Sequence, residues 1–340
     1  MIERLKIWGV VCLAAMLSMA LLTSCGNQQQ NTNNDENNQQ NTEQTETDPA
    51  EEKVVLKLNL PDQQTYRMKM TTVEETEQTT MGQLTKSKNS TETVYQIEVT
   101  EVADNGNMTL VYTYESIKNT SEGPDGVVVY DSTVGNVENE VQGKIFQAML
   151  TRGFEIVMTP QGRVESVSGF EELFEAMMDT VDPEVREFAE PLVKSIVSAD
   201  TIKDMITTSY VFYPQEPLGI NDKWNETFSI TTGLTANIDS TYTVTERDEG
   251  IMKLDVVTAL SSNPDAPPLE IGPFKMRFKN LDGKGTGSLT IDEATGWYTG
   301  GELTQNYTAE LELEGLEVIT SDEPATIKGT TVTSYEMLGS

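Results

Sequence analysis

From Lys53 onward, apolar and polar residues alternate along the chain. KVVLKLNL (53–60), TYRMKM (65–70), TVYQIEV (93–99), NMTLVYTY (107–114) and FEIVM (154–158) repeat with period two. So do TYTVTE (241–246), IMKLDVV (251–257), FKMRFKN (274–280) and GSLTID (287–292). Side chains on a strand point to opposite faces in turn, so this pattern predicts half-buried antiparallel strands. Asn105-Gly106, Asp125-Gly126, Gln161-Gly162, Asp282-Gly283 and Thr295-Gly296 supply turn positions that tolerate positive φ. GKGTG (283–287) lacks the spacing of a phosphate loop and has no helix after it, so it reads as a strand edge.

The period changes between residues 169 and 207. Phe170, Leu173, Phe174, Met177 and Met178 fall at i, i+3, i+4, i+7 and i+8, one apolar helical face. Ser168 with Glu171 has the spacing of a capping box. A second helix is predicted after Asp182, with Pro183 in its first turn and a kink at Pro191. Phe188, Leu192 and Ile196 lie on its inner face. A third, short helix carries Ile202, Met205 and Ile206. Such stripes need a surface to cover, and the concave face of the sheet is the available one. They either fill the core or line a cavity for an apolar ligand. The cavity candidates are Phe170, Leu173, Phe174, Met177, Met178, Phe188, Leu192, Ile196 and Met205, the thioethers being adaptable.

VTEVADNGNMTLVYT from Val99 and VTERDEGIMKLDVVT from Val244 share Val-Thr-Glu, Asp, Gly, Met, Leu and Thr in order, with one deletion. Either the chain is two related β halves, or two meanders look alike by chance. The expected fold is mainly β (α+β): a curved antiparallel, open-barrel-like sheet with a three-helix insert over its concave face. The β half 54–168, the insert 169–207 and the β half 208–336 together make one binding domain, 53–338.

The start of the chain changes the picture. Arg4 and Lys6 precede an apolar run, Ile7 to Leu22, the length of a secretory signal core. Leu22-Thr23-Ser24-Cys25 resembles the lipobox of bacterial lipoproteins. The resemblance implies a signal peptide at 1–24, a diacylglycerol on Cys25, palmitate among its acyl chains, and a membrane anchor facing outside the cytoplasm. Residues 25–52 are Asn, Gln, Thr, Glu and Asp with no apolar period, and so form a disordered tether. Its root-mean-square reach is roughly 30 Å.

Composition then narrows the chemistry. The net charge is −32, which repels nucleic acid and anionic headgroups. There is no histidine, and of two cysteines Cys12 lies in the leader. Ser-His-Asp and Cys-His catalysis are therefore impossible. Carboxylate chemistry of the glycosidase type stays open. With 55 acidic residues, however, close pairs arise by chance, and only Trp224 and Trp297 follow the leader to make a sugar platform. No metal or cofactor is expected; calcium at Asp292 or Glu293 lacks the EF-hand spacing. Trp224 and Phe228 alternate along a strand and should pack inward. Asp292 should accept backbone N–H bonds in the turn at Thr295-Gly296.

YPQEPLGINDKWNETFSI (213–230) and GSLTIDEATGWYTGGELTQNYTAEL (287–311) resemble segments of an uncharacterised family of bacterial lipoproteins, a domain of unknown function. Asn221-Asp222 stands where that pattern has Gly-Asp. The resemblance covers about residues 54–336 and carries no activity. The layout is also similar to the half-barrels of lipoprotein-carrier and mycobacterial lipid-binding lipoproteins, an analogy of fold. The expected function is non-catalytic binding of a lipid or other apolar ligand between sheet and helices. The alternative is a cell-envelope structural or interaction protein that meets a protein or glycan partner through its acidic surface.

Overall fold

Period-two alternation becomes long antiparallel strands. The computed structural model describes residues 53–339 apart from 81, 125, 135, 138–139, 180, 182, 184–185, 187–189, 191–192, 195–197, 208–209, 231–234, 266, 272–273 and 315–324. The leader, Cys25 and the tether lie outside the described residues.

β1 (Thr65–Thr80), β2 (Gln83–Val102) and β3 (Met108–Gly123) form a meander extended by β4 (Gly126–Asp131) and β5 (Asn136–Val137). After α1 (Glu140–Leu150), the hairpin of β6 (Phe154–Met158) and β7 (Val164–Ser168) returns to pair with β3. Two helices follow, α2 (Phe170–Met178) and α3 (Ala199–Thr207). A second meander comprises β8 (Lys223–Ile230), β9 (Ala236–Asp248), β10 (Ile251–Ser262), β12 (Phe274–Asp292) and β13 (Trp297–Glu314), with short β11 (Leu269–Ile271) beside β12. The last strand, β14 (Ala325–Gly339), pairs with both β13 and β1 and so joins the two meanders. The main order is β5-β4-β3-β2-β1-β14-β13-β12-β10-β9-β8, in one 14-stranded sheet. The sheet is curved and open, and the fold is mainly β.

Several local expectations are corrected. Asp282-Gly283 is not a turn: both residues lie inside β12, beside an irregularity at Lys279–Asp282 where Asn280 takes φ 52. GKGTG is not at a strand edge either, because β12 pairs there with β10 on one side and β13 on the other. The capping box at Ser168 does not form. Ser168 is still paired in β7 and its hydroxyl bonds Glu155 at 3.3 Å, while Gly169 caps α2 in a left-handed conformation without a side-chain bond. The first β half contains a helix, α1, that alternation alone did not assign. The predicted middle helix falls mostly outside the described residues.

The inward face carries two apolar clusters. The larger gathers Leu56, Leu58 and Leu60 ahead of β1, the proximal halves of the strands, and buried residues of α2 and α3. The smaller holds Ile230, Ile238, Leu260, Phe278, Tyr307 and Leu311 among others, near the far ends of β8 to β13. A polar row in register across the sheet separates them: Glu74, Thr331, Gln305, Gly285, Thr258, Ser240 and Glu226. Buried polar groups are tolerated when bonded to one another. Tyr307 Oη accordingly donates to Glu74 Oε1 at 3.0 Å, and Gln305 Nε2 reaches Thr258 Oγ1 at 3.5 Å. Glycines let the neighbouring strands lean inward. A Cβ at Gly287 would lie 2.1 Å from the Glu302 carbonyl oxygen.

Candidate functional site

Alternation places tyrosines on the inward face of several strands at once: Tyr95 on β2, Tyr112 and Tyr114 on β3, Tyr298 on β13 and Tyr335 on β14. Tyr210, from the extended segment after α3, joins them. The rings pack in series. Tyr95 and Tyr112 lie 6.1 Å apart between centroids, Tyr112 and Phe154 5.1 Å, Tyr210 and Tyr298 5.6 Å, and Tyr298 and Tyr335 5.4 Å. Separations of this order carry the favourable offset and edge contacts of aromatic pairs.

The phenol oxygens converge. Tyr95 and Tyr298 hydroxyls are 3.4 Å apart, and those of Tyr112 and Tyr210 are in direct contact. Burial pushes the phenols of Tyr95, Tyr112, Tyr210, Tyr298 and Tyr335 up, and Tyr114 up to about 12, because an ionised phenol is poorly solvated there. They therefore stay protonated at neutral pH and serve as hydrogen-bond donors and acceptors, not as bases.

Trp297 sits at the edge of this cluster with no exposed surface. Its ring lies 5.6 Å from Tyr66, 5.2 Å from Tyr210 and 5.4 Å from Tyr298. Its Nε1–H has no hydrogen-bond partner among the described residues. Trp224, by contrast, donates from Nε1 to the Phe212 carbonyl at 2.8 Å and packs inward as its alternation predicted, with Phe228 partly buried beside Phe212.

The helices pack onto the same cluster. Leu173, Met177 and Met178 of α2, and Ile202 and Ile206 of α3, are buried in it, while Phe170 and Phe174 are partly buried against it. Ser198 caps α3 by accepting from the Thr201 N–H at 3.1 Å. Phe188, Leu192 and Ile196 lie outside the described residues; Met205 is on α3, its side chain outside them too. Five of the predicted residues, on α2, thus lie in or against the larger apolar cluster, which also holds the tyrosines. The tyrosines and Trp297 were missed. A signal existed: most of the chain's 11 tyrosines sit at the apolar phase of a strand pattern, where Val or Ile would serve packing equally well.

Other polar clusters have structural work. Arg247 makes a buried two-pronged pair with Glu293 at 2.6 and 3.0 Å. Asp292 accepts the Thr295 N–H at 2.8 Å and its hydroxyl at 2.6 Å, the turn device expected from sequence. Glu226 is held above the usual carboxylate range by burial, which Arg163 at 3.5 Å only partly offsets. Among the described residues no group of three or more acidic or cysteine side chains could hold a metal ion. No helix among them is long and apolar enough to cross a membrane.

Comparison with known proteins gives one family. The family of unknown function DUF6263 matches over residues 105–298. No curated protein matches the chain. Among solved structures the chain is similar to lipovitellin, in a structure of its lipid–protein interactions. The identity is 13% and the TM-score 0.43, over 83% of this chain and 26% of that one. The chain thus spans about a quarter of lipovitellin's length. DynF from the dynemicin pathway of Micromonospora chersina aligns at 9% identity and TM-score 0.19, over 87% and 92% of the two chains. An outer membrane channel from Pseudomonas putida F1 aligns at 8% and 0.19, over 86% and 100%. Likenesses this loose carry no argument about function.

Proposed function

We propose that this protein, which belongs to the DUF6263 family of unknown function, is a non-catalytic binding protein anchored to the outer side of a bacterial membrane. It holds a lipid or other apolar molecule between the sheet and the helices. The observation that carries the reading is the Nε1–H of Trp297, wholly buried and without a partner among aromatic rings. An unsatisfied buried donor costs about 1–3 kcal/mol. An acceptor brought by a ligand removes that cost, and the rings of Tyr66, Tyr210 and Tyr298 around it supply apolar contact. The protonated phenols offer further bonds to a polar end of the same molecule.

Anchoring rests on Leu22-Thr23-Ser24-Cys25 after the apolar run. The tether 25–52 leads to Lys53, so the domain would begin at a root-mean-square distance of roughly 30 Å from the lipid surface. The test uses full-length protein made in a bacterium that acylates lipoproteins. Organic extraction and mass spectrometry should recover a molecule bound in near-stoichiometric amount, besides the acyl chains on Cys25. Cys25→Ser should abolish labelled palmitate incorporation and move the protein from the detergent phase to the aqueous one. Extracts that hold nothing beyond the anchor would defeat the binding reading; unchanged partitioning of Cys25→Ser would defeat the anchor.

A further inference from the structure

The Val99 and Val244 segments agree far beyond their sequences. In the β2–β3 hairpin Val99 pairs with Leu110 and Glu101 with Thr109, so Thr100 is an extra residue. In the β9–β10 hairpin Val244 pairs with Leu254 and Glu246 with Lys253, so Thr245 is the extra residue. Each bulged threonine turns its hydroxyl back to the same carbonyl of the facing strand: Thr100 to Thr109, and Thr245 to Lys253, both at 3.3 Å.

The next strands continue the match. β6 lies on β3 with Met158 facing Met108 and Ile156 facing Leu110. β12 lies on β10 with Ile291 facing Met252 and Leu289 facing Leu254. The following hairpins slip register at equivalent places, leaving Glu165 extra in β7 and Thr299 extra in β13. Bulges bend strands locally and depend on position. Similar meanders need not share two of them in one order.

The straps that lead into the two meanders each reach both hairpins: the Leu58 N–H donates to the Pro160 carbonyl of the first hairpin at 2.7 Å, and Tyr213 Oη to the Gly296 carbonyl of the second at 2.7 Å. The Asn59 N–H of the first strap donates to the Thr295 carbonyl of the second hairpin at 2.9 Å. The Tyr213 N–H of the second strap donates to the Gln161 carbonyl of the first at 3.2 Å. Thr295 and Gln161 each precede a turn glycine of positive φ, Gly296 (65°) and Gly162 (87°). A Cβ on Gly296 would lie 2.1 Å from the Lys57 oxygen, and one on Gly162 2.6 Å from the Val211 oxygen. Val54 and Leu218 bridge the two straps.

We infer that the chain contains one strap-and-meander unit twice, over 53–168 and 210–299, and that each unit's strap is bonded to both hairpins and packs against the turn glycine of the other unit. The arrangement is that of a two-fold dimer fused into one chain.

Hydrogen exchange of the full chain tests this. Gly296→Ala should raise exchange in the strap 53–60 about tenfold and leave 210–218 as it was. Gly162→Ala should do the reverse. Either substitution loosening its own unit's strap more than the other's, or both straps equally, overturns the inference. Should the alanine chains fail to fold, Thr100→Val and Thr245→Val decide instead. Each removes one bulge hydroxyl and should lower the melting temperature by about 2 °C, alike in both units. A shift in one more than twice that in the other would break the equivalence.

Discussion

Trp297→Phe separates an idle N–H from one that a ligand uses. The substitution keeps a ring beside Tyr66, Tyr210 and Tyr298 and removes about 40 Å³ of indole, which at about 24 cal/mol per Å³ of residual cavity is about 1 kcal/mol. The apolar surface withdrawn from burial is about 45 Å², another ~1 kcal/mol. Against this loss of about 2 kcal/mol stands the relief of a buried, unpartnered donor, about 1–3 kcal/mol. In protein stripped by organic extraction and refolded, the two nearly cancel, and the urea midpoint should hardly move. In protein with its ligand bound, the donor is satisfied. Relief then disappears, a bond worth about 1 kcal/mol is lost as well, and the variant should be about 3 kcal/mol less stable than wild type. Equilibrium unfolding of both proteins in both states measures the difference directly. A cost near 3 kcal/mol in stripped protein would refute the reasoning, since the N–H would then be satisfied by the chain or by water.

Three other outcomes follow from the polar row and the glycines. Tyr307→Phe removes the hydroxyl that donates to buried Glu74, so denaturant unfolding should show a loss of about 2 kcal/mol; an unchanged midpoint would mean the bond is idle. Glu226 has a raised folded pKa, chiefly from burial, so its ionisation is easier in the unfolded chain and stability falls as pH rises above about 4.5. Glu226→Gln should therefore stabilise at pH 7 and make no difference below about pH 4, where the carboxyl is protonated in both states; melting curves across pH would expose the opposite sign. Gly287→Ala pushes a methyl against the Glu302 backbone and should cost about 3 kcal/mol, with the loss visible as increased exchange in β13.

The strands were legible because burial on one face imposes period two, and that signal survives any detail of topology. The sheet order was not, since the pairing of β14 with β1 joins residues 247 to 272 positions apart and leaves no local trace. Helix α1 was missed although Val141, Ile145, Ala148 and Met149 sit at helical spacing; the strands on both sides set the expectation. The capping box failed for a reason that spacing cannot convey: Ser168 was already engaged in β7, and Gly169 made the corner. For the site, an amphipathic stripe reveals which helix face is buried but not what it meets. Met177 and Leu173 were found by their period, whereas the phenols come from five separate segments and converge only in three dimensions.

Set beside each other, the two units distinguish scaffold from site. Where the sheet needs filling, equivalent positions keep their size: Val99 and Val244, Met108 and Met252, Leu110 and Leu254 are all buried. Where the aromatic cluster lies, they diverge. Tyr95 corresponds to Ser240, Tyr114 to Thr258 and Phe154 to Gly287. A repeated scaffold satisfied by Ser, Thr and Gly in one copy has no need of three rings in the other. Close packing requires that volume added on one wall be matched by volume absent on the wall it faces. The rings of the first unit, with Tyr210, Trp297 and Tyr298 from the second and Tyr335 from β14, pack together there. The rings at Tyr95, Tyr114 and Phe154 are therefore an addition of the first unit, not a demand of the architecture both share. Ring-for-small exchanges between equivalent positions should then alter what the protein binds before they alter how its sheet is paired.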